Sequence, residues 1–318
     1  MLDSEIGFCR PKNVFTRSFG SDKSCGAYIA KFCFSFQLLT QQTIAEGFIL
    51  KSLMRRIRNP RKRRLENQAN EPGSDARSLK QAIEKLRAQI PDATDHQVQI
   101  VNAVRELTMT SPERILAVCN AVEYLAKNKI VGDFVECGVW RGGSMAAAAK
   151  TLVHVGTTDR QLWMYDTYDG MSEPTEEDVD YLGHTAEKLL NEQDRDDAMS
   201  VWCCSPLDQV KQTMAQTEYP IDQVRFIEGK VEDTLPHTTP EKIAMLRLDT
   251  DWYESTRCEL EHLFPKLVPG GVLIVDDYGH WEGCRRAVDE YFQENKIPML
   301  LNRIDYTGRI GIYCPGSN

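Results

Sequence analysis

Four aspartates close two apolar runs: Asp249 and Asp251 follow Ile243–Leu248, and Asp276 and Asp277 follow residues 271–275. Carboxylates brought together repel one another unless a cation joins them, and an all-oxygen set suits a hard ion such as Mg²⁺. A second stretch carries different chemistry. In GDFVECGVWRGGSM (132–145) an apolar run breaks at Gly138, Gly142 and Gly143 ahead of an alanine-rich helix, which lets a ligand approach the backbone at a helix N-terminus. The spacing departs from GxGxxG. Residues 161–165 then lead to Asp166, about 20 residues past the glycines, where nucleotide folds place an acid that accepts from ribose hydroxyls. Glu136, near the end of the first run, is expected to face the same pocket. The pattern points to a nucleoside-bearing cofactor, and so many acids nearby count against the pyrophosphate of a dinucleotide.

These residues need a frame. Residues 255–267 have helical apolar spacing through Leu260, Leu263, Phe264 and Leu267 and stop at Pro269-Gly270-Gly271, so 243–275 reads as strand, helix, strand. Apolar strands joined this way favour a parallel sheet buried on both faces. A right-handed crossover then brings both acidic ends to the carboxyl edge, where ligands sit. The expected α/β sheet has five parallel strands and a terminal antiparallel hairpin, 299–304 and 309–313, around Tyr306-Thr307-Gly308. Helices are predicted at 78–90, at 96–107 and from Ser111-Pro112 onward, the last with Ser as N-cap and Pro at the first helical position. The acidic, turn-rich segment 169–197 reads either as a mobile flap over the carboxyl edge or as a solvated connector, and 229–235 as the turn near an adenine ring.

At 318 residues the chain has room for one large α/β domain and an appendage. The formal charge is −9, with +8 on residues 1–70 and −17 on the rest. A body so acidic lacks the Lys and Arg surface that duplex nucleic acid requires, and a small-molecule ligand fits it better. The ten cysteines include no CxxC pair, which argues against a zinc ribbon or a disulfide framework and for a reducing compartment, the cytoplasm. Residues 27–39 are apolar but broken by Lys31 and too short to span a bilayer, while Asp3 and Glu5 stand where a cleavable signal carries its basic region. The basic run 51–64 reads either as a solvated tail or as an attachment to an anionic surface, and Met54 beside it is an alternative start.

Taken together, TMTSPERI (108–115), GDFVECGVWRGGSM (132–145), MYDTYDGM (164–171), RLDTDWYEST (247–256) and PGGVLIVDDYGHWEGCRRAVDEYF (269–292) resemble the macrocin O-methyltransferase family, from about Leu79 to Cys314 and not over residues 1–70. The resemblance implies a Rossmann-like class I methyltransferase with a seven-stranded, mostly parallel sheet. It implies S-adenosyl-L-methionine and Mg²⁺ as cofactors, a hydroxyl of a sugar or related natural product as acceptor, and a homo-oligomer built through N-terminal elements. Position by position, it implies that Glu136, Gly138, Arg141, Gly142 and Ser144 border the methionine and ribose parts of the cofactor and that Asp166 takes the ribose hydroxyls. Asp249, Asp276 and Asp277 match metal ligands, and Asp251 matches a general base. At 229–236 the sequence GKVEDTLP lacks the family's aromatic, which leaves Asp233 as the expected polar partner of the adenine. The chain then divides into a poorly ordered basic extension (1–70), a helical cap (71–130) and a methyltransferase domain (131–318).

A sugar hydroxyl is a poor nucleophile at neutral pH, so holding it beside a cation and a base is what methyl transfer to one hydroxyl of a vicinal pair would need. His280 is a candidate auxiliary base; Trp252, Tyr253, Trp281 and Tyr168 are candidates for stacking on the acceptor or for the core. Two alternatives remain. The DxD of LDTDWYES and the later acidic pair also suit a phosphohydrolase of the haloacid dehalogenase type with Asp249 as nucleophile, although the strand comes late and the glycine segment is left without a role. A silent scaffold binding through its basic arm is the other, against which all four aspartates and the glycines are present.

Overall fold

The computed structural model describes residues 74–315 except 196, 198 and 199. The basic run 51–64 and the apolar stretch 27–39 lie outside the described residues. Three helices come first: α1 (Ser74–Gln89), α2 (Asp95–Val104) and α3 (Pro112–Lys127). Their starts are set by side chains. Thr94 accepts from the Gln97 amide while the Gln97 side chain accepts from the Thr94 amide, a reciprocal capping box, and Ser111 accepts from the Arg114 amide with Pro112 in the first turn. Then follow β1 (Asp133–Cys137), α4 (Gly143–Val155), β2 (Leu162–Asp166), α5 (Ala186–Glu192), α6 (Leu207–Ala215), β3 (Val224–Glu228), α7 (Val231–Thr234), β4 (Ile243–Leu248), α8 (Tyr253–Leu263), β5 (Leu267–Val275), α9 (Glu282–Glu294), β6 (Asn302–Arg303) and β7 (Arg309–Ile312).

The sheet order is β3-β2-β1-β4-β5-β7-β6. Strands β1 to β5 pair in parallel, and β7 runs antiparallel between β5 and β6. This is the expected Rossmann-like, mostly parallel α/β sheet with its antiparallel end. Successive residues of β1 face opposite sides: Phe134 joins the core packed by α2, α3 and α4, and Val135 joins the core packed by α8 and α9. The helices before β1 and the sheet form one unit, Ala76–Asn318. Among the described residues no helix is long and apolar enough to cross a membrane.

The sequence order reverses between β1 and β4, and the crevice at their carboxyl ends is the topological place for a ligand. Two details differ from expectation. Helix α8 stops at Leu263, just ahead of Pro265, which lacks an amide hydrogen, and β5 starts earlier than expected, at Leu267, with Gly270 at φ 82 where the register shifts opposite Ile243 and Met245. The 169–197 segment is pinned over the edge. Val179 bridges Thr185 and Asp180 bridges Trp281, while the fully buried Asp178 accepts from the Tyr253 amide at 2.8 Å and from the Thr175 amide at 2.7 Å.

Candidate functional site

A cleft of about 350 Å³ opens at the carboxyl edge, bordered by the turn after β1, the ends of β2, β4 and β5, the 169–172 loop and the β6–β7 turn. Gly138 makes the first turn fit. At φ 80, a Cβ there would stand 1.9 Å from the Asp249 carbonyl oxygen, so only glycine lets the β1 turn pass over the end of β4. Asp166, closing β2, accepts from the amides of Val139 at 2.6 Å and Trp140 at 2.9 Å with one oxygen and from Tyr168 at 2.7 Å with the other. It therefore shapes the glycine turn as well as lining the cleft.

Carboxylate oxygens of Asp249, Asp251 and Asp277 all lie within 4.8 Å of one another. Asp251 sits at φ 71, in the left-handed region that a non-glycine residue seldom adopts, in a tight turn closed by the Trp252 amide on the Thr250 carbonyl at 2.8 Å. Burial pushes its carboxyl up to about 7, with the charges of Asp249 and Asp276 adding to the rise and contact with Asp277 opposing it. Burial also drives Asp249 and Asp277 well above the usual carboxylate range, where mutual repulsion keeps them. Asp277 Oδ2 is buried without a hydrogen-bond partner. The donor set thus fits a hard divalent ion: oxygen-only and close-set, with an oxygen of Asp277 left without a partner.

Asp276 points elsewhere. Its carboxylate pairs with Arg114 and, at 2.5 Å, with Arg247 Nη2. Arg247, 2 % exposed at the side chain, also holds Glu136 at 2.7 Å and Asp249 at 2.5 Å through Nη1, and Thr110 Oγ1 at 3.0 Å through Nη2. Glu136 is turned toward this guanidinium rather than the cleft, and burial lifts it to about 7 even against the Arg247 charge. Arg114 further pairs with Asp305, tying α3 to the β6–β7 turn.

Of the residues singled out in the sequence, the cleft gathers Gly138, Ser144, Asp166, Asp249, Asp251, Asp276, Asp277, His280, Trp252 and Trp281. Glu136, Arg141, Gly142 and Asp233 lie outside its lining. Arg141 stacks its guanidinium 4.5 Å over the Trp140 ring, Gly142 caps α4, and Asp233 is exposed on α7 while its neighbours Lys230 and Glu232 border the cleft. Tyr253 lies behind the cleft, donating to Glu290 at 2.7 Å, and Tyr168 is a core residue donating to the Met164 carbonyl at 2.9 Å. Arg247, Arg114, Thr110, Cys203 and Tyr306 were not anticipated. Arg247 had a signal: it is the one charged residue in an apolar run expected to be buried on both faces.

A family model described as Macrocin-O-methyltransferase (TylF) matches residues 37–311, reaching upstream of the motifs that carried the resemblance. An 8-demethyl-8-(2,3-dimethoxy-alpha-L-rhamnosyl)-tetracenomycin-C 4'-O-methyltransferase from Streptomyces olivaceus is 36% identical over 201 residues, covering 63% of this chain and 73% of that protein. A demethyldecarbamoylnovobiocin O-methyltransferase from Streptomyces niveus is 34% identical over 206 residues, covering 65% and 74%. The solved structure of the O-methyltransferase NovP superposes with a TM-score of 0.56 at 31% identity, covering 66% of this chain and 83% of that one. The calicheamicin methyltransferase CalS11, at 16% identity and a TM-score of 0.50, shares the fold. The phosphohydrolase alternative is not favoured by these likenesses, and the glycine turn it left without a role borders the same cleft as Asp249.

Proposed function

The chain belongs to the macrocin-O-methyltransferase family, and from that membership we propose that it transfers the methyl of S-adenosyl-L-methionine to a hydroxyl, one of a vicinal pair, on the sugar of a natural-product glycoside, with Mg²⁺ required. The observation that carries this reading is the convergence of Asp249, Asp251 and Asp277 within 4.8 Å, in a cleft also bordered by the glycine turn. The donor would occupy the side lined by Gly138, Ser144 and Asp166, where α4 begins with no side chain capping its first amides. Asp249, Asp276 and Asp277 would hold the ion; it would supply Lewis acidity that eases deprotonation of an adjacent hydroxyl. Asp276 has to share its carboxylate with Arg114 and Arg247 in doing so.

Asp251 is the base. A carboxyl with a pKa of about 7 is poised to accept a proton at neutral pH. The donor, when bound, would supply an electrophilic methyl and depart as S-adenosylhomocysteine; Asp251 would take the hydroxyl proton on a carboxylate oxygen as the acceptor oxygen receives that methyl. The pinned 175–185 segment and the buried Trp252 and Trp281 exclude water from the approach, and Arg247 holds Glu136, Asp249 and Asp276 in place. Titration calorimetry with S-adenosylhomocysteine, followed by mass detection of methylated rhamnosides with Mg²⁺ or with chelator, tests the reading. No heat at millimolar ligand, or turnover indifferent to chelator, rejects it.

A further inference from the structure

Outside the acid cluster, the mouth of the cleft carries rings that the methyl-transfer chemistry does not use. Tyr181, Leu182 and Tyr306 are 52%, 64% and 51% exposed, unusual for large apolar side chains set side by side. The Tyr181 and His280 rings are 5.4 Å apart, Tyr181 and Tyr306 5.9 Å, and His280 and Tyr306 6.0 Å, and His280 stands edge-on to Trp281 at 5.0 Å. His280, Trp281 and Tyr306 line the same cleft as Asp251 and Asp277.

Three separate segments supply these rings, and the backbone fixes each. The Tyr181 amide donates to the His280 carbonyl at 2.9 Å, while Asp180 Oδ1 accepts from the amides of Leu182 and His184 at 2.8 Å. The Gly279 amide donates to the Thr307 carbonyl at 2.9 Å, and a Cβ at Gly279 would stand 2.1 Å from the Tyr306 carbonyl oxygen, so the two turns touch backbone to backbone. Asp305 Oδ1 accepts from the amides of Thr307 at 3.0 Å and Gly308 at 2.7 Å, and its other oxygen accepts from Ser111 at 2.8 Å. The segments that carry the rings are therefore tied together before any ligand arrives, which lowers the ordering cost of binding. The amides of His280 and Trp281 both donate to the Asp277 carbonyl, so the rim sits one turn of chain from the acid cluster.

We infer that Tyr181, His280 and Tyr306 form a stacking rim for a flat aromatic aglycone, so that the acceptor is an aryl glycoside whose sugar reaches Asp251 while its aromatic part stays at the mouth. This rests on the proposed methyl transfer for the sugar's place and on the rings alone for the aglycone. Offset and edge-to-face contacts with two or three aromatic partners discriminate an aryl from an alkyl substituent.

The test uses 4-methylumbelliferyl α-L-rhamnoside and methyl α-L-rhamnoside, titrated against the full chain without donor or metal. The aryl probe should bind at least about tenfold tighter than the methyl probe, the scale expected for gaining two stacking partners. The pair Tyr181→Ala/Tyr306→Ala should bring the two affinities together, and Tyr181→Phe/Tyr306→Phe should keep them apart, because the rings remain while the Tyr306 hydroxyl contact to His280 Nδ1 at 3.2 Å is lost. Equal affinity of the wild type for both probes overturns the rim, as does a phenylalanine pair that behaves like the alanine pair while still melting like the wild type. Failure of S-adenosylhomocysteine to bind overturns the methyl-transfer reading instead and leaves these titrations as they are.

Discussion

Arg247→Met measures how far the site depends on one buried cation. The guanidinium is 2 % exposed and faces Glu136, Asp249 and Asp276, so methionine removes the positive partner while filling similar space. Breaking a buried ion pair from one side costs about 3 to 5 kcal/mol, because the partner is left charged and desolvated. For a domain of this size, where 1 kcal/mol moves Tm by about 2 to 4 °C, the melting temperature should fall by about 6 to 20 °C. The loss has a pH signature. Glu136 already stands near 7 and Asp249 above its usual range, both by burial and both held down by Arg247, so its removal raises them further. A carboxyl whose folded pKa exceeds its unfolded value contributes stability below the unfolded pKa, near 4.5, and loses it as pH rises through the folded one. The deficit against wild type should therefore be larger at pH 8 than at pH 5, and Arg247→Met/Glu136→Gln should recover part of it. Calorimetric scans in chelator at both pH values decide: a drop under about 4 °C at pH 8, or one that does not depend on pH, refutes the reasoning.

Three further outcomes are expected. Asp251→Asn should lower turnover about 10² to 10⁴-fold while S-adenosylhomocysteine binding and the Mg²⁺-dependent rise in Tm persist; loss of the rise would make Asp251 a ligand instead of the base. In wild type, Mg²⁺ at about 100 times its Kd should stabilise by about 2.7 kcal/mol at pH 8 and much less at pH 5, because Asp249 and Asp277, both raised by burial, must give up protons to bind it; equal shifts at both values would rule out these ligands. Gly138→Ala should unfold the protein several degrees earlier than Gly156→Ala, measured by thermal melts, since both have positive φ but only Gly138 has backbone in the way.

The parallel strands, the hairpin and the glycine turn were legible because each leaves a one-dimensional trace: apolar runs of strand length, helical spacing between them, glycine where a strand breaks into a helix. The order of the strands in the sheet leaves none. The acid cluster was legible in part. Asp276 and Asp277 are neighbours in sequence, yet in the bend after β5 one meets Arg114 and Arg247 and the other Asp251, and only the third dimension shows where the cations stand. Glu136 was expected in the pocket for the same reason: a strand-end acid looks free until its partner, 111 residues away in sequence, is placed. The aromatic grouping was not legible: His280 stood out only as a candidate base and Tyr306 only as a turn residue, because Tyr181, His280 and Tyr306 come from three segments with no shared spacing.

Asp178 couples two places that look independent. Its carboxylate, fully sequestered, receives the leading amide of α8, the helix that begins two residues after Asp251, and the loop bearing Asp178 also carries Tyr181. Lifting that loop would carry the carboxylate away with it and leave the leading amide of α8 without its acceptor. The position of the loop that carries Tyr181 and the start of the helix behind Asp251 are accordingly tied together through a single side chain.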